Sequence, residues 1–362
     1  MSDDAPVATT RAVILRTPAA VDQALRDPAL RLAGRGTWHD DPRVHDLIDR
    51  MPSMHDGEAR REGLVPVRAL LSPDAARTAA PAMKREMRAL AQEQLLDSID
   101  LVDSYTSLIA PTFLRSHLGL SPAVSARDLR AFSTNLTAEL VRQEPQDPRR
   151  VEVILDVNGR IRDHIAHVRR DRAGGHPLDP LIAAIPDDRD VAAVVCLLAS
   201  GGQETVSSLA CGVFIALAQD PATLSRWRTD PGAVVDERAG LQPPIMVLAR
   251  RAETDTRADG IDIQAGRTVL LDLASGAAAS GLAFGMGLHR CLGRSVARAI
   301  IPVAVDEALE VRPSLLQARF RPEGSPVAGV FRGPVRMFVD SPAPTGAGWN
   351  ALAEFHDDDG EA

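Results

Sequence analysis

The sequence is short of several things, and each shortage excludes something. Of its 41 basic residues only Lys84 is a lysine. That bias reads as the mark of a GC-rich genome, not of a function. There are three cysteines, Cys196, Cys211 and Cys291. They are too few for a disulfide scaffold, and the odd number leaves at least one thiol free within a monomer. That points to a reducing compartment or to a thiol with a chemical role. Positive charge is not in excess. A formal net charge of -8 argues against non-specific nucleic-acid binding. Long apolar runs are missing too. The best one, from Val191 onward, is interrupted by Gly201-Gly202-Gln203-Glu204 and falls short of a membrane span. The first ten residues have no basic stretch and no apolar core, so no signal peptide is expected. These absences predict a soluble, cytoplasmic protein with no nucleic-acid or membrane partner.

What remains is a globular balance, 45% hydrophobic and 25% charged, in 362 residues. That length suggests two domains or one large one. Strand-like runs cover 12–15, 245–249, 261–263 and 268–273, with further candidates near 317–321 and 335–339. Helical periodicity covers 75–96, 102–118, 126–141 and 151–172. The segment 34–61 reads as a charged loop. The longest helical pattern runs from about 188 to 218, capped by Asp187 or Asp188 and ended by Asp220-Pro221. A further helix is expected from Pro221 toward Ala239, and another from Leu292 to about Val311. The tail from Pro342 reads as disordered. The mixture is mostly α with small peripheral β-sheets, not an alternating βαβ pattern.

The chemistry concentrates at Phe284-Gly285-Met286-Gly287-Leu288-His289-Arg290-Cys291-Leu292-Gly293. Here a glycine-rich loop meets a helix start, where free amides and the positive end of the helix dipole favour a thiolate. Arg290 and Arg294 add positive charge. Gly285, Gly287 and Gly293 remove side chains, so a flat ligand can approach the backbone. A lone cysteine does not suit tetrahedral zinc. One axial thiolate does suit a haem iron. Taken alone, such a cysteine is more often a buried structural residue beside loop glycines.

With Ala297-Arg298 added, the string resembles the haem-binding loop of the cytochrome P450 family, FGxGxHxCxGxxxAR, at every defined position. The resemblance implies a cytochrome P450-like fold, a single domain over 1–341 with the tail 342–362 outside it, and haem b held by the axial thiolate of Cys291. Gly201-Gly202-Gln203-Glu204-Thr205 is similar to the family's oxygen-activation motif, so Thr205 and Glu204 would manage protons. Two glycines inside a helix cost about 1 kcal/mol each relative to alanine. They mark a place where the helix opens or where something lies against bare backbone. Arg250-Arg251-Ala252 resembles the family's propionate-binding arginine, with Arg250 the better match and His289 a second propionate candidate. Cys196 and Cys211 read as core packing.

The departures from the family pattern are specific. The family's ExxR is Glu237-Arg238-Ala239-Gly240 here. Gly240 stands at the arginine position, and Arg238 follows Glu237 directly, so it is expected on another helix face. The stretch from Gly266 to Phe284 is too short for the usual meander. An HxxxR site is replaced at 59 and 63 by Ala59 and Gly63, with Arg60 or Arg61 as substitutes. The family's usual first helix has no counterpart before residues 13–30.

The resemblance implies a haem-thiolate, monooxygenase-like oxidoreductase acting on a small-molecule secondary-metabolite intermediate. Its cofactor-binding residues would be Arg250, Phe284, Gly285, His289, Cys291 and Gly293. Arg290, Arg294 and Arg298 would offer a basic face to a ferredoxin-type electron donor. The alternative is a divergent member with redox-neutral or peroxide-driven chemistry, or a non-catalytic helper of a biosynthetic partner such as a glycosyltransferase. The segments 37–54 and 136–172 are expected to line the substrate pocket.

Overall fold

The structure, a computed structural model, describes residues 7–8, 12–32, 39–95, 100–141, 147–171, 174–276, 281–325 and 330–340. The tail from Pro342, residues 277–280 of the shortened meander and residues 37–38 lie outside the described residues.

The chain is mostly helical. The helices in order are α1 (Pro18–Arg26), α2 (Pro42–Asp49), α3 (Gly57–Gly63), α4 (Val65–Leu70), α5 (Pro73–Gln94), α6 (Leu101–Ser104), α7 (Ile109–His117) and α8 (Ala126–Leu140). They continue as α9 (Pro148–Arg170), α10 (Asp179–Ala184), α11 (Asp188–Gln219), α12 (Pro221–Trp227), α13 (Pro231–Leu241), α14 (Leu273–Gly276) and α15 (Arg294–Val311). The strands are β1 (Val7–Ala8), β2 (Ala12–Leu15), β3 (Leu30–Leu32), β4 (Val247–Ala252), β5 (Thr256–Ala258), β6 (Ile261–Ile263), β7 (Thr268–Asp272), β8 (Arg319–Glu323) and β9 (Arg336–Asp340).

Polar caps set the long helices. Ser72 accepts from the Ala75 amide at the start of α5, and Pro73 occupies the first turn, where its missing amide costs nothing. Ser125 and Asp128 close a reciprocal capping box on α8. Asp187, the first of the two expected caps, starts α11 by accepting from Arg189. Asp220 both ends α11 and caps α12.

Helix α11 is apolar almost all round, as a helix buried on every side must be. It packs on α7, α8, α9, α12 and α13. By length and composition it meets the requirement for a membrane span, which the sequence reading denied it because of the glycine interruption. The helix runs through Gly201 and Gly202 without a break. Its apolar surface is spent on the large core, which also takes Met83 and Met87 of α5 and Ile301 and Val305 of α15.

A second, smaller core lies under a five-stranded sheet of order β1-β2-β7-β4-β3, built on Leu15, Val21, Val269 and Leu271. Strands β2 and β7 pair in parallel, with Val13 opposite Val269. Strand β4 runs antiparallel to β7 and to β3, which sets Arg250 opposite Leu32.

Three sequence expectations change. The 34–61 segment holds the short helices α2 and α3. The expected 102–118 helix is broken at Tyr105, whose φ of -144° and ψ of -63° are not helical. The expected helix from Pro221 is two, because Asp230-Pro231 restarts the chain as α13.

Two histidines give the fold an acid-sensitive term. His117 bonds the Leu70 carbonyl at 2.9 Å and stacks on Phe113. His164 lies edge-on to His176. Burial pushes the pKa of both down, and for His164 the neighbouring His176 adds to this. The folded state therefore keeps them neutral where the unfolded chain, with free values of about 6.5, already takes up protons. Stability is expected to be full above that value and to fall as the pH drops below it. Urea midpoints of the cofactor-free protein at pH 7.5 and pH 5 measure the loss. A His117→Gln, His164→Gln variant should lose less over the same interval.

Candidate functional site

The loop before α15 is shaped by its glycines. Gly285 has φ +65° and Gly287 φ +66°, a region side chains rarely adopt. The Cys291 amide donates to the Phe284 carbonyl at 2.8 Å and closes the loop. The Phe284 ring lies under the Arg294 guanidinium, 5.4 Å from its centroid. The three glycines have different tasks. A methyl on Gly287 would meet the Leu25 carbonyl oxygen at 2.5 Å, so this residue lets the loop pack on α1. Gly285 makes the turn. Only Gly293, of the three, faces a cavity. The expectation that all three open the backbone to a flat ligand therefore holds at one position.

That cavity, of about 240 Å³, takes Cys291 and Gly293 from the loop, Val296, Ala297 and Ile300 from α15, and Gly201, Gly202 and Val206 from α11. Leu64, Val67, Phe113 and Leu114 add apolar wall. Its polar lining is Ser53, Arg60, His289 and Arg290 beside the thiol itself. A methyl on Gly201 would touch nothing within 4 Å. Bare helix backbone thus faces the cavity, which is the second of the two readings of the glycine pair.

Cys291 is exposed, but to this cavity. Burial among its walls pushes the thiol pKa up, against the Gly293 and Arg294 amides and the charges of Arg290 and Arg294, which pull it down. The amide and arginine effects expected from the sequence are present. Desolvation outweighs them. Metal coordination reverses that balance, because a coordinating thiol is deprotonated outright. Cys196 and Cys211 are buried in the core with their pKa values pushed up by burial, Cys211 to about 12. They fit packing roles.

A charged cluster borders the cavity. Arg60 is buried, with its Nε on the Leu288 carbonyl and an Nη on the Ser53 carbonyl, both at 3.1 Å. Burial draws its pKa down to about 10. Arg250 is buried as well, whereas Arg251 is exposed. Its guanidinium bonds the Ala249 carbonyl. His289 donates from Nε2 to Asp56 Oδ1 at 2.6 Å. Burial holds the His289 pKa down to about 4 against the pull of Asp56, with Arg60 and Arg250 adding to the fall. The other Asp56 oxygen accepts from the Leu32 amide at 3.2 Å, next to Arg250 through the β3–β4 register. Of the two substitutes for the missing HxxxR arginine, the structure places Arg60 at the cavity and leaves Arg61 exposed. Asp56 is the residue sequence reasoning missed. Its partner His289 is 233 positions away, and no local pattern links the two.

Other candidates stand back from the cavity wall. The Thr205 hydroxyl donates to the Gly201 and Gly202 carbonyls at 3.1 and 3.3 Å. Glu204 faces α8, where the Thr134 hydroxyl donates to its Oε1 at 3.1 Å. Burial pushes the Glu204 pKa up. Arg250, Phe284 and Gly285 support the site without lining the cavity.

The expectation for Glu237 also changes. Arg238 donates an Nη to Glu237 Oε1 at 2.7 Å, although the two are adjacent on α13, and Arg226 of α12 bonds the same carboxylate. An arginine side chain is long enough to fold back along its helix, so facing direction at Cα did not decide the pairing. The basic face also shrinks. Asp236 pairs with both Arg294 and Arg298, and of these three arginines only Arg290 is exposed with no ion pair among the described residues.

The residues fit a haem. The cavity has a thiol, apolar walls and bare backbone. Beside it, among the described residues, the buried guanidiniums of Arg60 and Arg250 lie within electrostatic reach of one buried carboxylate, Asp56, which leaves positive charge for the acidic edge of such a group.

No protein-family model matches the chain. Among curated proteins it is similar to cytochrome P450 105C1 of a Streptomyces species, 30% identical over 190 residues, which are 45% of this chain and 49% of that protein. It is similar to the biotin biosynthesis cytochrome P450 of Bacillus subtilis at 31% over 164 residues, 39% and 41% of the two. The chain spans about half or less of the length of these two relatives. Among solved structures it resembles epothilone D-bound cytochrome P450epoK, at a TM-score of 0.79, 18% identity and 92% of each chain. It also resembles HmtN, a post-tailoring hydroxylase involved in himastatin biosynthesis, at 0.75, 18% and 94% of each. The fold is therefore that of the cytochrome P450s. The loop around Cys291 adds a local likeness to the same proteins, so the chain is similar to cytochrome P450s both in fold and in this motif.

Proposed function

We propose that this protein is a haem-thiolate monooxygenase that carries haem b on Cys291 and oxidises a small-molecule intermediate of secondary metabolism. The observation that carries the reading is the Cys291 thiol opening into an apolar cavity lined by buried Arg60, with buried Arg250 near enough to act on Arg60 and His289. When bound, haem supplies the oxygen and one-electron chemistry, and the protein supplies binding and orientation.

Each residue then has a physical task. Arg60 and Arg250 hold the acidic edge of the cofactor, and His289 stays neutral as a hydrogen-bond donor there. Gly201 and Gly202 keep α11 free of side chains beside the reacting centre. Glu204, whose carboxyl holds its proton more tightly than usual because it is buried, is a proton store one residue from Thr205. The apolar walls select an uncharged, largely apolar substrate and exclude water. The substrate class follows similar proteins, one solved with epothilone D bound and one involved in himastatin biosynthesis. A ferredoxin-type donor would meet the face carrying Arg290, and the three thiols suit the reducing cytoplasm.

The test is the absorption spectrum of protein expressed with added haem, purified, reduced and treated with carbon monoxide. A red-shifted Soret band is expected. Protein without bound haem overturns the reading.

A further inference from the structure

Seven acidic, arginine or histidine side chains among the described residues are buried, and three of them, Asp56, Arg60 and Arg250, gather beside this cavity. Asp56 is the unusual member. It occupies the N-cap of α3, where an aspartate normally accepts from the second or third helix amide. It makes no such bond. Its described contacts are instead with His289 Nε2 and the Leu32 amide. Four residues on, Arg60 holds the Leu288 carbonyl. The start of α3 therefore grips two consecutive residues of the Cys291 loop, one through a carboxylate and one through a guanidinium. One Asp56 oxygen accepts from the Leu32 amide, and the other lies 2.6 Å from His289 Nε2. A buried negative charge here has a cost that a capping role does not explain.

We infer that Asp56 is a positioning residue that sets the charge at the cofactor's acidic edge, offsetting one of the two buried arginines and holding His289 and the Cys291 loop in place. This rests on the haem reading above. With Asp56 ionised, the three buried groups carry one net positive charge. Without it they carry two, and without Arg60 they carry none. Burial and nearby charge are among the means by which a protein tunes a bound haem. A charge change at Asp56 and one at Arg60 must therefore move the iron's midpoint potential in opposite directions.

The experiment is spectroelectrochemical titration of the haem-loaded full chain and of Asp56→Asn, Asp56→Glu and Arg60→Gln. Asp56→Asn should favour the reduced form on the order of tenfold, a rise of about 59 mV for one electron. Arg60→Gln should lower the potential. Asp56→Glu, which keeps the charge, should stay near the wild-type value. Shifts of the same sign in Asp56→Asn and Arg60→Gln are the mark of a merely loosened site and overturn the inference, as does an unmoved potential. If Asp56→Asn does not load, the same inference stands on Arg60→Gln falling while Asp56→Glu holds, and fails otherwise. Wild-type protein that takes up no haem overturns the haem reading and this inference together. A loaded wild type with unresponsive variants overturns this inference alone.

Discussion

Cys291→Ala is expected to remove the red-shifted Soret band of the reduced, carbon monoxide-treated protein and to lower turnover by more than about a hundredfold, beyond what loss of a supporting residue around a metal costs. The fold survives the change. The loop is closed by the Cys291 backbone amide on the Phe284 carbonyl, and alanine keeps that amide. The thiol faces the cavity, so its loss opens no void in the packed core. Urea midpoints of the cofactor-free variant and parent should agree to within about 0.5 kcal/mol. This combination separates ligand loss from unfolding. A variant that retains the band would move the ligand assignment away from Cys291, because Cys196 and Cys211 are sealed in the core and no group of three metal-ligating side chains gathers among the described residues.

The loop was readable because all its fixed positions lie within one short stretch of sequence. The long helix was readable for a similar reason, since an apolar pattern of that length with an aspartate at each end has few other solutions. Three kinds of feature were not readable. Short helices such as α2 and α3 are too brief for periodicity and depend on tertiary packing. Strand β3 is three residues long and exists because β4 pairs with it. Long-range polar contacts leave no trace in spacing. The Asp56–His289 and Arg60–Leu288 contacts join residues more than 220 positions apart. The Glu237–Arg238 pair failed for the opposite reason. It is local, but an arginine's reach overrides the direction in which its Cβ points.

Gly287→Ala should be strongly damaging for a single added methyl. The residue sits at φ +66°, where an alanine costs about 1–2 kcal/mol. The added Cβ would lie 2.5 Å from the Leu25 carbonyl oxygen and 3.2 Å from the Arg26 Cα. Both are backbone atoms of α1, so no rotamer change relieves the contact. Overpacking of this kind costs about 1–3 kcal/mol more. The sum, roughly 2–5 kcal/mol, predicts a fall in Tm of about 3–7 °C for a chain of this size. The consequence reaches the site. If α1 is pushed off the loop, Leu288 and His289 shift against Arg60 and Asp56, and bound haem should be lost faster to an acceptor protein. Gly201→Ala is the matched control. It adds the same methyl in a helix interior where nothing lies within 4 Å, so the cofactor-free protein should gain up to about 1 kcal/mol from helix propensity. Its methyl enters the cavity instead. The two glycines thus predict opposite signs for thermal stability, measured by calorimetry on cofactor-free protein. Equal destabilisation by both would mean that the Leu25–Gly287 approach is not what fixes the loop.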